Sequence, residues 1–171
     1  MPGPRIAIAG PEELDTVLGI LDETAAWLVS KGIRQWESPT PPDVQTLFAD
    51  WIARGQVRLV WLNGEPVAAF RIELEAIPLW RDDANAGYVY TLAIRPAWIG
   101  RGLGEWIIRA IAAELEQAGH EYIRLDCISS NAFLRSWYER LGFVYRGTGE
   151  FHGYSLARYE AACATIKREP L

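Results

Sequence analysis

Leu92-Ala93-Ile94-Arg95-Pro96-Ala97-Trp98-Ile99-Gly100-Arg101-Gly102-Leu103-Gly104-Glu105-Trp106 reads as a strand that runs into an alternating-glycine loop and straight on into a helix. The pattern describes an anion cradle. Glycines let the backbone adopt φ > 0 and approach a ligand closely, and the first turn of the next helix presents unpaired N–H groups at the positive end of its dipole. A phosphorylated ligand is the natural occupant of such a turn, while an ordinary glycine-rich turn is the plainer alternative.

Spacing separates the phosphate-binding patterns. A P-loop requires Lys-Ser/Thr after its last glycine, whereas Glu105-Trp106 follow here, so no lysine reaches a phosphate and no hydroxyl holds magnesium. The dinucleotide fingerprint G-x-G-x-x-G fails as well. After Gly100 and Gly102 its third glycine would be residue 105, which is Glu, and no early βαβ unit carries the loop.

A second segment, Asn131 to Phe143, reads N-A-F-L-R-S-W-Y-E-R-L-G-F. Together the two segments resemble the GNAT superfamily of N-acetyltransferases, which use acetyl-CoA. The family's first motif, Q/R-x-x-G-x-G/A, is matched from Ile99 to Gly104 at both glycine positions. Ile99 stands where Gln or Arg is usual, a departure that touches one side-chain contact of a motif working mainly through backbone amides. The second motif, a short helix closing in Tyr-Glu-Arg-Leu-Gly-Phe, is matched without a gap from Tyr138 to Phe143. The resemblance is firm over residues 88–143 and extends by element order from Arg5 to Tyr159.

The resemblance implies an N-acetyltransferase that moves an acetyl group from acetyl-CoA to a primary amine of a small molecule or peptide, by direct attack in a ternary complex. In that reading Leu92, Ala93 and Ile94 hold the pantetheine arm as an added strand, and a backbone N–H near Leu92 faces the thioester oxygen. Gly100, Arg101, Gly102, Leu103, Gly104 and Glu105 carry the pyrophosphate, with Arg101 adding a charge-assisted contact. Tyr138 stands beside the CoA sulfur as general acid. A phenol of pKa about 10 stays protonated beside a thiol of about 8.5 and can donate as the C–S bond breaks. Asn131 contacts the cofactor and, from its own chemistry, also caps the short helix. Asp126, near the end of the preceding strand, is the candidate general base. It reads equally as a solvated strand-end acid, and Glu73 and Glu75 could act through water instead.

Trp36 and Trp80 sit on loops that could border an amine and offer cation–π faces, whereas Trp106 fits a helix core stripe and Trp98 packs near the cofactor loop. His120 and His152 have no partner at metal or triad spacing, so no metal is expected. Cys127 reads as a small buried hydrophobe without an activating neighbour for an acyl-cysteine route. Two readings compete with the enzyme: a non-catalytic acyl-CoA-binding sensor, which could dispense with Tyr138, and the same fold serving a longer acyl-CoA donor.

Composition bounds the rest. Half of the 171 residues are hydrophobic and the net charge is −5, which suits one substantial core and argues against nucleic acid as a partner. Cys127 and Cys163 make no disulfide framework, no signal peptide is read, and apolar runs fall short of the ~18 residues of a membrane span, so a cytoplasmic protein is expected. Eight tryptophans leave a homodimer face open.

Periodicity predicts the order β-α-α-β-β-β-α-β-α-β-β, an α+β fold with a GNAT-like mixed sheet flanked by helices. Asn63-Gly64 marks a hairpin between strands at 57–62 and 66–75. Leu103, Trp106, Ile107, Ala110, Ile111, Ala113, Leu115 and Ala118 mark the helix behind the glycine loop, which Gly119 stops. A single domain over 1–171 is expected, with 160–171 as a C-terminal tail.

Overall fold

Helix and strand boundaries follow the punctuation of the sequence closely. A computed structural model describes residues 3–166. Strand β1 (Arg5–Ile8) leads through a 3-10 turn at Pro11–Glu13, where the Gly10 N–H donates to Glu13 Oε2 at 2.8 Å, into α1 (Leu14–Ser30). Pro42 opens α2 (Pro42–Ala53) at a position where its missing N–H costs nothing. Strands β2 (Val57–Leu62) and β3 (Glu65–Glu73) are joined at Asn63 and Gly64, whose φ angles of 55° and 82° fit a tight hairpin turn. Then come β4 (Ala86–Ile94), α3 (Leu103–Gln117), β5 (Tyr122–Ile128), α4 (Ala132–Leu141), β6 (Val144–Phe151) and β7 (Tyr154–Ala162).

The expected element order and α+β class are both found. The strands form one mixed sheet in the order β1-β2-β3-β4-β5-β7-β6. Pairs β1–β2, β2–β3, β5–β7 and β6–β7 are antiparallel, while β4–β5 is parallel. A parallel pair demands a crossover connection, which α3 supplies. Strand β7 continues to Ala162 and is followed by a 3-10 turn at Cys163–Thr165, so ordered structure occupies residues 160–166 where a tail was expected; 167–171 lie outside the described residues.

The described residues cluster into two compact units, each drawn from two stretches of chain: residues up to Ile72 with Thr91–Arg101, and Glu73–Tyr90 with those from Gly102 onward. In the first, Val17, Leu18, Ile20 and Leu21 of α1 and Phe48 and Ile52 of α2 pack on Val57, Leu59, Ala69 and Ala93 of the strands. In the second, α3 buries Leu103, Trp106, Ile107, Ile108, Ile111, Ala112 and Leu115. Gly87 lets this helix come close: a Cβ there would lie 2.3 Å from Leu115 Cδ2, so a larger residue would require the Leu115 side chain to move. A smaller cluster contains Leu79, Trp80, Ala86, Tyr88 and Tyr90.

An ionic network centred on buried Arg124 and Glu160 fastens the 74–85 connection within the second unit. Arg124, only 3% exposed, donates to Asp82 Oδ1 and Oδ2 at 2.6 and 2.9 Å and to Glu160 Oε2 at 2.7 Å. Arg146 donates to the other Glu160 oxygen at 2.7 Å. The Arg124 guanidinium also lies 4.2 Å from the centroid of the Trp80 ring. Each charge thus has a partner, the condition under which burial is tolerated.

Candidate functional site

The glycine loop has the backbone that an anion cradle requires. Gly100 and Gly102 have φ of 78° and 77°, values that an L side chain adopts only at a cost. A Cβ built on Gly100 meets no atom within 4 Å, so the loop surface there is open. Gly102 is the N-cap of α3 and no side chain caps the helix. The first helical bond runs from the Trp106 N–H to the Gly102 carbonyl at 3.0 Å. The amides of Leu103, Gly104 and Glu105 precede it and therefore have no intrahelical acceptor. The Glu105 carboxylate accepts from Arg109 Nη2 at 2.7 Å, one turn along α3, while the exposed Arg101 rests 5.3 Å from the Trp98 ring.

Strand β4 contains a feature that the sequence did not reveal. Thr91 has φ of 54°, a left-handed conformation that costs a β-branched residue on the order of 1–3 kcal/mol. The registered ladder between β4 and β5 covers Ala86–Val89 against Tyr122–Leu125 and stops just before it. After Thr91 the strand resumes, and the Arg95 N–H donates to the Val67 carbonyl at 2.9 Å. Amides alternate along a strand, so Leu92 and Ile94 direct theirs to the edge opposite Val67. The Thr24 hydroxyl shares its proton between the carbonyls of Ile20 and Ile94, at 2.7 and 3.0 Å, and Arg95 pairs with Glu23. Helix α1 thereby fixes the end of β4. Ala93 is wholly buried in the core of this unit, whereas Leu92 and Ile94 are half-buried.

Helix α4 is capped where α3 is not. Asn131 Oδ1 accepts from the Leu134 N–H at 3.1 Å, and Gly142 ends the helix at φ 101°. Tyr138 is the only residue of α4 that is buried. Its ring stands 5.3 Å from that of Trp137, 5.9 Å from Phe143 and 5.6 Å from Tyr159. Burial pushes the Tyr138 phenol well above its usual range, and the neighbouring Cys127, Asp126 and Tyr159 push the same way. The group therefore keeps its proton. The Cys127 thiol is pushed up to about 12, first by burial and then by Asp126, so it is not a nucleophile near neutrality.

The remaining predicted residues lie in different settings. Asp126 is half-buried on β5, opposite Arg158 of β7, and its charge reaches both Cys127 and Tyr138. Glu73 ends β3 half-buried, and Glu75 lies beyond the strand, exposed. Trp36 packs partly buried against the α1–α2 core. Trp80 is 5% exposed, with Arg124 at 4.2 Å and Arg158 at 5.5 Å from its ring. Its aromatic face is thus occupied by the protein's own guanidiniums rather than presented on a loop surface.

Comparisons with known proteins identify the family and the fold. The family model described as the acetyltransferase (GNAT) family matches residues 21–143. The chain is 29% identical over 157 residues to the uncharacterized N-acetyltransferase YesJ of Bacillus subtilis (strain 168), spanning 87% of this chain and 86% of that protein. Its fold is similar to an acetyltransferase of the GNAT family from Listeria monocytogenes 4b F2365, with TM-score 0.75, 24% identity and coverage of 93% and 94% of the two chains. It is also similar to the aminoglycoside acetyltransferase AAC(6')-Ib in complex with coenzyme A, with TM-score 0.76, 19% identity and coverage of 95% and 96%.

Proposed function

Because the chain belongs to the acetyltransferase (GNAT) family, we propose that it transfers the acetyl group of acetyl-CoA to a primary amine of a small molecule or peptide, by direct attack in a ternary complex. The observation that carries the mechanism is the place of Tyr138, the one buried residue of α4, within the matched Tyr138–Phe143 segment, where burial keeps the phenol in its protonated form. The donor's pyrophosphate is assigned to the amides of Leu103, Gly104 and Glu105 and the open backbone at Gly100–Gly102, with Arg101 adding charge. The amides of Leu92 and Ile94 receive the pantetheine arm, and Asn131 is assigned a further contact with the donor.

Chemistry then requires a new N–C bond, a broken C–S bond and two proton movements. The amine attacks the thioester carbonyl, whose oxygen gathers negative charge against the Leu92 N–H; a preorganised donor of this kind is worth about 2.7–4 kcal/mol. Collapse expels the CoA thiolate, which takes the Tyr138 proton. The proton lost by the amine passes to Asp126, or through water to Glu73 or Glu75. Carboxylates are weak bases for an ammonium near pKa 10, so a neutral amine or a water chain favours the step. Trp36 is assigned to the acceptor side; the packing of Trp80 against Arg124 and Arg158 supports a structural role for it instead.

Tyr138→Phe tests this reading directly, since it keeps the ring and removes only the donor. The expected result is a fall in kcat of about 10²-fold or more with acetyl-CoA affinity unchanged. An unaltered kcat means that water protonates the thiolate.

A further inference from the structure

Tyr159 is used by no step above, yet it is fully buried on β7 with its ring 5.6 Å from that of Tyr138. Its phenol oxygen accepts from Arg135 Nε at 3.1 Å and donates to Glu139 Oε1 at 3.1 Å. Both partners belong to α4. Arg135 stands three residues before Tyr138, on the same helix face, and Glu139 follows it directly. Arg135 Nη1 also donates to the Ser129 carbonyl at 3.3 Å, just ahead of the Asn131 cap. Its guanidinium lies 5.0 Å from the Tyr145 ring, which is itself 5.6 Å from Tyr159. One buried hydroxyl on the sheet thus grips the helix on both sides of Tyr138. Ring packing alone would let α4 slide or turn by a fraction of an ångström; two directional hydrogen bonds to charged groups do not.

We propose that Tyr159 is a positioning residue for acyl transfer, its hydroxyl fixing the rotation and height of α4 so that the Tyr138 phenol is aimed at the leaving sulfur. The proposal rests on the assignment of Tyr138 as general acid. Positioning errors of about 1 Å can cost about 10²-fold in rate, so losing the hydroxyl matters even though no reacting atom touches it.

The test is a double-mutant cycle on Tyr159→Phe and Tyr138→Phe, following thiol release from acetyl-CoA with hydroxylamine as the acceptor. Hydroxylamine is neutral near pH 7, so it enters without prior deprotonation. Its weakly basic nitrogen gives up its proton to water after attack, which leaves protonation of the thiolate as the step that depends on the enzyme. Tyr159→Phe is expected to lower kcat about tenfold or more while KM for acetyl-CoA is unchanged. In the Tyr138→Phe background it should have no further effect, because there is no proton left to aim. The loss should also shrink when the acetyl thioester carries a more acidic leaving thiol, a dependence that a loss of fold stability does not produce. Glu139→Ala, an exposed change, should show the same signature if Tyr159→Phe folds poorly. A reduced Tyr138→Phe rate beside an unchanged Tyr159→Phe rate overturns the positioning role alone, as does a Tyr159→Phe loss of equal size in both backgrounds. An unchanged Tyr138→Phe rate overturns the acid assignment and this inference with it.

Discussion

Tyr138 and Cys127 show how burial sets roles at the scale of single residues. A phenol of ordinary pKa near 10 used as general acid would bring an alkaline fall in kcat near that pH. With Tyr138 held well above its usual range, no such limb is expected up to pH 10, and a kcat profile ending in an ordinary tyrosine ionisation would contradict the assignment. Stability has the opposite sign: the unfolded chain releases this proton above pH 10 and the folded chain does not, so the fold weakens there as pH rises. Cys127, with its thiol pushed up to about 12, should stay unacetylated when the protein is incubated with acetyl-CoA alone. Intact mass spectrometry checks this, and an acetyl adduct on Cys127 would favour a two-step route.

Elements carry the proposed donor site, and here the sequence was legible to unequal degrees. The glycine loop, α3 behind it and the capped α4 could all be read, because φ > 0 glycines, helical spacing and an Asn cap are signalled by residue type. Thr91 could not. A β-branched residue inside an apolar run reads as plain strand, and its left-handed φ of 54° is imposed by tertiary context. The Tyr159 link to α4 and the burial of Trp80 were equally hidden, since both depend on long-range pairing of β5, β6 and β7 rather than on local pattern. Two substitutions test the elements. Gly102→Val, at φ 77°, should abolish acetyl-CoA binding by calorimetry in a folded protein; unchanged affinity would remove the loop from the donor site. Asn131→Ala should cost about 1 kcal/mol of stability through the lost cap, and any additional loss of acetyl-CoA affinity measures its proposed contact with the donor.

For the molecule as a whole, stability and function should separate. The Arg124–Asp82–Glu160 network uses none of the residues assigned to the chemistry. Glu160→Gln leaves Arg124 paired with Asp82 but removes the buried carboxylate that faces both Arg124 and Arg146, so it should destabilise by about 1–3 kcal/mol. Arg124 holds the Asp82 carboxyl below the usual carboxylate range. Its contribution is therefore present above the unfolded pKa of about 3.9 and lost as pH falls through the lower folded value. Asp82→Asn should lower the Tm at pH 7, with the difference from the native protein closing in strong acid; a difference independent of pH would assign it to packing. Family membership fixes the reaction class, but the acceptor is written in side chains that local patterns do not mark. The most direct measurement is therefore acetyl-CoA turnover across amine classes, with CoA release and the acetylated amine quantified together. At least one primary amine is expected to gain one acetyl group for each CoA released. Tight acetyl-CoA binding with no transfer to any amine, small or peptide, would contradict it and leave an acyl-CoA-binding sensor in its place.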